Sequence, residues 1–170
     1  MSDNVIIRQV EAADWDDVRA IYLEGIATGN ATFETDAPTW EGWDSGHLEF
    51  ARLVAVCKKE LCGWAALSPV SKRSAYAGVA EVSVYVGEKF RNQGIGLRLL
   101  HALICESEQN GIWTLQASVF PENQATIALH KRCGFREVGS RERIGKLNGV
   151  WRDTMLLERR SKTVGGEEDL

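Results

Sequence analysis

Apolar positions along this chain follow two periods, and the changes between them predict its elements. Residues 5–10 alternate and read as a short strand. Across 13–26, Val18, Ile21, Tyr22, Gly25 and Ile26 recur at helical spacing. Asp14, Asp16 and Asp17 fall in the first turns of that helix, where its dipole favours anions. Gly29-Asn30 breaks it, and 31–36 reads as a polar loop with one exposed aromatic, Phe33. Pro38-Thr39 opens a second short helix, with Thr39 as N-cap. Residues 53–57 and 62–67 predict a hairpin turning at Lys58-Lys59-Glu60, and 70–78 a loop. A strand over 79–86 precedes a long helix over 95–110, with Leu97, Leu99, Leu100, Leu103 and Ile104 on its apolar side and Gly111 as its stop. Residues 114–119 form a strand, 123–133 a helix stopped at Gly134, and 135–138 and 150–157 two late strands. The order is mixed α/β without a regular βαβ series.

Composition narrows the class. The chain has 170 residues, enough for one domain with a real core, set here at 1–160. Residues 161–170 read as a polar, disordered tail. The formal charge of −4 argues against a general nucleic-acid binder but allows a local basic site for an anionic ligand. No apolar run approaches the roughly 18 residues of a membrane span. The first residues lack the basic and apolar regions of a signal peptide. Cys57, Cys62, Cys105 and Cys133 are scattered, form no CxxC pair, and read as reduced thiols of a cytoplasmic protein.

The chemistry concentrates in VAEVSVYVGEKFRNQGIGLRLL, residues 79–100. Alternation puts Val79, Glu81, Ser83 and Tyr85 on one face of the strand and Ala80, Val82, Val84 and Val86 on the other. The all-apolar face is core. The Glu81 face borders either a cleft or, on an edge strand, solvent. Arg91-Asn92-Gln93-Gly94-Ile95-Gly96 then lies at a strand–helix junction. A helix start there presents unpaired N–H groups and a positive dipole end, and glycine lets an anion come close. The string completes neither the dinucleotide fingerprint nor a P-loop, and its glycines alone fit a tight turn equally well. Two further segments carry polar chemistry. Lys72-Arg73-Ser74-Ala75-Tyr76 is either a solvated basic loop or a clamp for an acid group. Asn123 fits an N-cap, and His130 caps, packs or titrates near the end of the same helix.

R-x-x-G-x-G between a strand and a helix resembles the coenzyme A pyrophosphate loop of the GCN5-related N-acetyltransferases (GNAT). Over about 5–158 the chain is similar to the phosphinothricin and methionine sulfoximine acetyltransferase subfamily. The matching features are Ile21-Tyr22, Thr32-Phe33, Arg73-Ser74-Ala75-Tyr76, the 79–86 strand, the glycine loop, Asn123, Leu129-His130, Gly134-Phe135 and Gly149-Val150-Trp151-Arg152-Asp153. The resemblance implies an α/β GNAT fold: a mixed, mostly antiparallel twisted sheet flanked by helices, its central strands splayed, usually at a bulge. It implies acetyl-coenzyme A as cosubstrate, no metal, a small amine or amino-acid analogue as acceptor, and a homodimer. Glu81 becomes the general base, and His130 an acid to the thiolate or a polar wall. Backbone groups of Val84, Tyr85 and Val86 hold the pantetheine arm. Arg91, Asn92, Gln93, Gly94, Ile95, Gly96 and Leu97 take the pyrophosphate, while Asn123 touches the coenzyme and Arg132 meets its outer phosphates. Phe33, Arg73, Ser74, Ala75, Tyr76 and Tyr85 line the acceptor pocket. Ser68-Pro69-Val70-Ser71 replaces the aromatic typical of the substrate loop, and Gly78-Val79-Ala80 replaces bulkier residues before Glu81. Rival readings on the same fold are a protein N-terminal or polyamine acetyltransferase, and a non-catalytic coenzyme A sensor.

Overall fold

The computed structural model describes residues 4–166. One seven-stranded sheet runs in the order β1-β2-β3-β4-β5-β7-β6. Its strands are β1 (Val5–Gln9), β2 (Leu53–Cys57), β3 (Glu60–Pro69), β4 (Val79–Val86), β5 (Thr114–Val119), β6 (Arg136–Leu147) and β7 (Val150–Arg160). Four helices complete it: α1 (Trp15–Ala27), α2 (Trp40–Gly46), α3 (Ile95–Gln109) and α4 (Gln124–Arg132). The order matches the pattern-based reading. Every pairing is antiparallel except β4 with β5.

The sheet has helices on both faces because β3 is apolar on both. Trp64 and Ala66 of β3 join Val18 and Ile21 of α1 and Trp43 of α2. Ala65 and Leu67, one residue out of phase, join Leu99, Leu100 and Leu103 of α3. These buried leucines each contribute about 2 kcal/mol to holding α3 down. Thr39 caps α2 by accepting the Gly42 N–H, as its position suggested. Among the described residues no helix is long and apolar enough to cross a membrane. All four cysteines are free.

The parallel pair decides the shape of the site. β4 and β5 pair only at Val79–Thr114, Ala80–Leu115 and Glu81–Gln116, and then part. Val82–Val86 keeps its bonds to β3, while Ala117–Val119 keeps its bonds to β7. A wedge therefore opens between them, as the resemblance implied. The expected bulge in β4 is absent: its register with β3 runs unbroken from Pro69–Ala80 to Gly63–Val86. The register shifts lie in β2–β3, at Ala55/Val56, and in β6. The strands part without an inserted residue in β4, each staying paired with its outer neighbour.

β3 and β7 run two to three residues past their expected ends, and two regions differ more. β6 extends to Leu147, well beyond the expected 138, although nearly all of it is exposed. Its polar residues carry no alternation to read, and pairing to β7 through a two-residue turn holds it in place. Residues 161–166 fold back instead of trailing free. The Ser161 N–H bonds Trp113 O at 2.8 Å, and the Arg160 guanidinium reaches the carbonyls of Val164 and Gly165 at 2.7 and 2.6 Å. The remainder of the expected tail lies outside the described residues.

Candidate active site

The wedge is the mouth of a cleft of about 1060 Å³, near the upper size of ligand pockets. Its floor is β4 from Glu81 to Val86 and β5 from Ala117 to Val119; α4 and the start of α3 form one wall, and the segment after α1 the other. Glu81, half-buried, is the last β4 residue paired with β5, so its carboxylate sits at the fork. It lies on the α1 side of the sheet with Tyr85, while Ala80, Val82, Val84 and Val86 face α3. The alternation therefore resolves in favour of the cleft over an open edge.

At one end, α3 begins immediately after Gly94, which takes φ +79°. That left-handed turn costs a side-chain-bearing residue about 1–2 kcal/mol and costs glycine nothing. The first return bond is Arg98 N–H to Gly94 O at 3.2 Å, leaving the N–H groups ahead of it for a ligand. Arg91, Asn92, Gly94, Gly96 and Leu97 line the cleft here. Two expected members do not. Ile95 is buried, anchoring α3 in the core, and the Gln93 amide donates to Lys89 O at 3.3 Å. Asn123 caps α4 by accepting the Thr126 N–H at 3.2 Å, and Arg132 lies exposed at the cleft rim.

The other end is aromatic and acidic. Tyr85 stacks on Tyr22 at 5.0 Å and on Trp64 at 4.8 Å between ring centroids. Gly25 makes room for it: a Cβ there would meet the Tyr85 ring at 2.7 Å. Burial first, with the Tyr22 hydroxyl and Glu34 adding to it, pushes the Tyr85 phenol well above its usual 10. Tyr22 is raised chiefly by burial too. Both remain protonated hydroxyls, able to donate. Phe33 is half-buried, not the exposed aromatic its loop suggested. It meets Phe120 edge-on at 4.8 Å and lies against Gly145 of β6.

His130 is buried among α4 and Phe135. Its Nδ1 lies 2.7 Å from Thr126 O, and a carbonyl can only accept, so Nδ1 carries the proton. Nε2 is buried and meets no hydrogen-bond partner among the described residues. Burial holds the imidazole below its usual 6.5, with the Thr126 contact opposing. A neutral ring with a bare Nε2 has no proton to release there.

Arg73, Ser74, Ala75 and Tyr76 are not brought to the cleft. They form an exposed 3-10 turn in which the Arg73 guanidinium lies 5.6 Å from the Tyr76 ring centre. Ser83 lines the cleft on the Glu81 face where alternation put it, and Thr32, from the matching Thr32-Phe33 pair, lines it too. The pattern missed Glu34, Glu122 and Thr154, scattered polar residues with no spacing to mark them. Among the described residues no group of three or more His, Cys, Asp or Glu side chains could hold a metal ion.

The acetyltransferase (GNAT) family model matches residues 7–135. Phosphinothricin N-acetyltransferase of Alcaligenes faecalis is 34% identical over 90% of this chain and 81% of its own length. The L-methionine sulfoximine/L-methionine sulfone acetyltransferase of Pseudomonas paraeruginosa is 27% identical over 89% and 92%. The crystal structure of a GNAT superfamily phosphinothricin acetyltransferase from Sinorhizobium meliloti in complex with AcCoA superposes with a TM-score of 0.84. That protein is 26% identical, with 96% of this chain and 95% of that one covered.

Proposed function

This chain belongs to the acetyltransferase (GNAT) family and is an N-acetyltransferase, and from that premise we propose that it acetylates the amino group of a small amino acid or amino-acid analogue by direct transfer from acetyl-coenzyme A. The observation that carries the reading is the position of Glu81 at the fork, between a glycine-rich helix start on one side and an aromatic, acidic pocket on the other.

The chain's own groups fit both substrates. The N–H groups at the start of α3 and the Arg91 side chain suit a pyrophosphate. The β4 backbone beyond Glu81, freed from β5, can pair with the amides of the pantetheine arm, and one of its N–H groups can polarise the thioester carbonyl. The acceptor's ammonium enters beside Glu34 and Glu81. Glu81 takes one proton, directly or through water, and the freed amine attacks the acetyl carbon. The carbon–sulfur bond breaks. The coenzyme thiolate leaves and takes a proton from the newly formed N–H₂⁺ or from water. His130 serves as a polar wall, because its only proton is committed to Thr126 O.

A homodimer and a cytoplasmic location complete the reading. The β6–β7 hairpin exposes Val138, Ile144, Val150 and Trp151, an apolar set of the kind subunit contacts cover, and the free thiols suit a reducing compartment. A second copy is also what would give the exposed Arg73–Tyr76 turn a role, as clamp for the acceptor's acid group.

A polyamine acetyltransferase remains the rival with a specific observation behind it: Glu34, Glu81 and Glu122 all line the cleft. The test is thiol release from acetyl-coenzyme A against phosphinothricin, methionine sulfoximine, methionine sulfone, ordinary amino acids, polyamines and short peptides. Turnover confined to the amino-acid analogues supports the proposal, and turnover only with polyamines or peptides overturns its substrate class. Glu81→Gln is expected to lower kcat roughly a hundredfold or more. An unchanged kcat removes Glu81 from the base role.

A further inference from the structure

The motif Gly149-Val150-Trp151-Arg152-Asp153 has no part in the chemistry above, yet its arginine bridges two segments that line the cleft. Arg152 of β7 donates from Nη1 to Gly29 O at 2.8 Å and from Nη2 to Asn30 Oδ1 at 2.8 Å. The same Nη2 reaches Glu122 Oε2 at 3.2 Å, and the guanidinium lies 4.0 Å from the Phe120 ring centre. Asn30 is bonded from a second direction as well: the Asn123 amide donates to its carbonyl at 3.2 Å. We propose that Arg152 is a positioning residue for acetyl transfer. It ties the segment 28–34, which carries the acceptor side of the cleft, to the β5–α4 connection at Phe120, Glu122 and Asn123.

The two sides need this tie unequally. Phe120 continues straight from β5, and Asn123 is fixed as the cap of α4. Segment 28–34 hangs between the end of α1 and the start of α2 without belonging to either. Its internal bonds are short-range ones, Thr28 Oγ1 to Gly25 O at 2.7 Å and Glu34 N–H to Thr32 Oγ1 at 3.1 Å, which shape the loop but do not dock it. Docking falls to the packing of Phe33 on Phe120, the contact of Thr32 with the Tyr22 and Tyr85 hydroxyls, the Asn123 bond to Asn30 O and the two bonds from Arg152. Guanidinium donates along two directions at once, so it can hold a backbone carbonyl and a side-chain amide together; an ammonium is a point charge and cannot fix that pair. Thr32 and Glu34 line the cleft from this segment, so loosening it displaces groups facing the acceptor while leaving the start of α3 intact.

This inference rests on the cleft being the acetyl-transfer site, and the experiment separates the two. Arg152→Lys and Arg152→Ala would be compared with the parent in backbone hydrogen exchange by mass spectrometry, acetyl-coenzyme A binding by calorimetry, and acceptor kinetics with the best acceptor of the panel. Faster exchange confined to 28–34 is expected in both variants. The acceptor KM should rise at least about tenfold, the loss typical of charge-assisted hydrogen bonds, with a smaller change in kcat. The acetyl-coenzyme A Kd should stay within about twofold of the parent. The lysine variant keeps a cation over Phe120, so it carries the test if the alanine variant folds poorly. Unchanged exchange in 28–34 overturns the assignment, as does a parallel rise of acceptor KM and coenzyme Kd. If no acceptor turns over, the functional reading fails while the exchange result still decides the role of Arg152.

Discussion

The two ends of the cleft are built in opposite ways. The coenzyme end is nearly contiguous: β4 from Val84, the turn at Asn92–Gly94 and the first turn of α3 follow one another in the chain, with α4 added. The acceptor end is assembled from Gly25 and Tyr22 of α1, the segment 28–34, the other face of β4, and Arg152 of β7, more than a hundred residues further on. Local construction gives the first end a backbone set by neighbouring residues, which suits the coenzyme A site proposed for it. Non-local construction leaves the second end to side-chain packing, which is where specificity for one amine can change without disturbing the fold.

That contrast can be broken from either end. Of the substitutions that separate the two ends, Gly25→Ala is expected to have the largest effect. The new methyl would meet the Tyr85 ring at 2.7 Å and drive it off its stack with Tyr22 and Trp64. Overpacking of this kind costs about 1–3 kcal/mol, so acceptor kcat/KM should fall roughly thirtyfold. The acetyl-coenzyme A Kd should change less than about threefold. A variant that loses coenzyme binding as strongly as acceptor turnover would show that the two ends are not separable.

Gly94→Val attacks the other end. A β-branched residue at φ +79° is strained by about 1–2 kcal/mol even though nothing crowds its Cβ. Calorimetry should report a roughly tenfold weaker acetyl-coenzyme A complex, with kcat at saturating coenzyme near the parent value. A tight complex would mean that α3 does not need this turn to present its N–H groups.

The smallest effect concerns pH. His130 beside the coenzyme end and His47, packed on Trp43 away from the cleft, both have folded-state pKa values below the usual 6.5, first because of burial. The unfolded chain takes up protons, as pH falls through about 6.5, that the folded chain refuses. This stability is therefore complete above about 6.5 and is lost as pH falls toward the folded-state values. Thermal unfolding should move down by a few degrees between about pH 7.5 and 5.5. Because His130 is already neutral at pH 7, His130→Gln should keep the parent's pH–rate profile above that point. A new alkaline limb in the variant, or a melting temperature that is flat over the acid range, contradicts this account.

Legibility in the sequence followed the same division. The strand at 79–86, the helix from 95, the glycine turn and the caps Thr39 and Asn123 are local patterns, and each stands where the pattern put it. β6 was cut short at 138 because nine of its first residues are exposed and carry no period. A turn signal was available: Asn148-Gly149, with both φ positive, joins Leu147 to Val150 and marks the full hairpin. Phe33 looked exposed because its partners, Phe120 and Gly145, are far along the chain. The sequence assigns Arg152 no role, since its acceptors Gly29 O, Asn30 Oδ1 and Glu122 Oε2 lie in segments that only folding brings near.

By itself, the sequence determined the element order, the face of β4 that carries Glu81, and the anion-ready start of α3. These depend on side-chain period and on φ preferences over a few neighbouring residues. Tertiary structure alone decided where β4 and β5 part, without the bulge expected in β4. It also kept Arg73–Tyr76 away from the cleft, and it left His130 neutral with a bare Nε2. Pairing range, burial and docking are sums over residues distant in the chain, and no local pattern contains them.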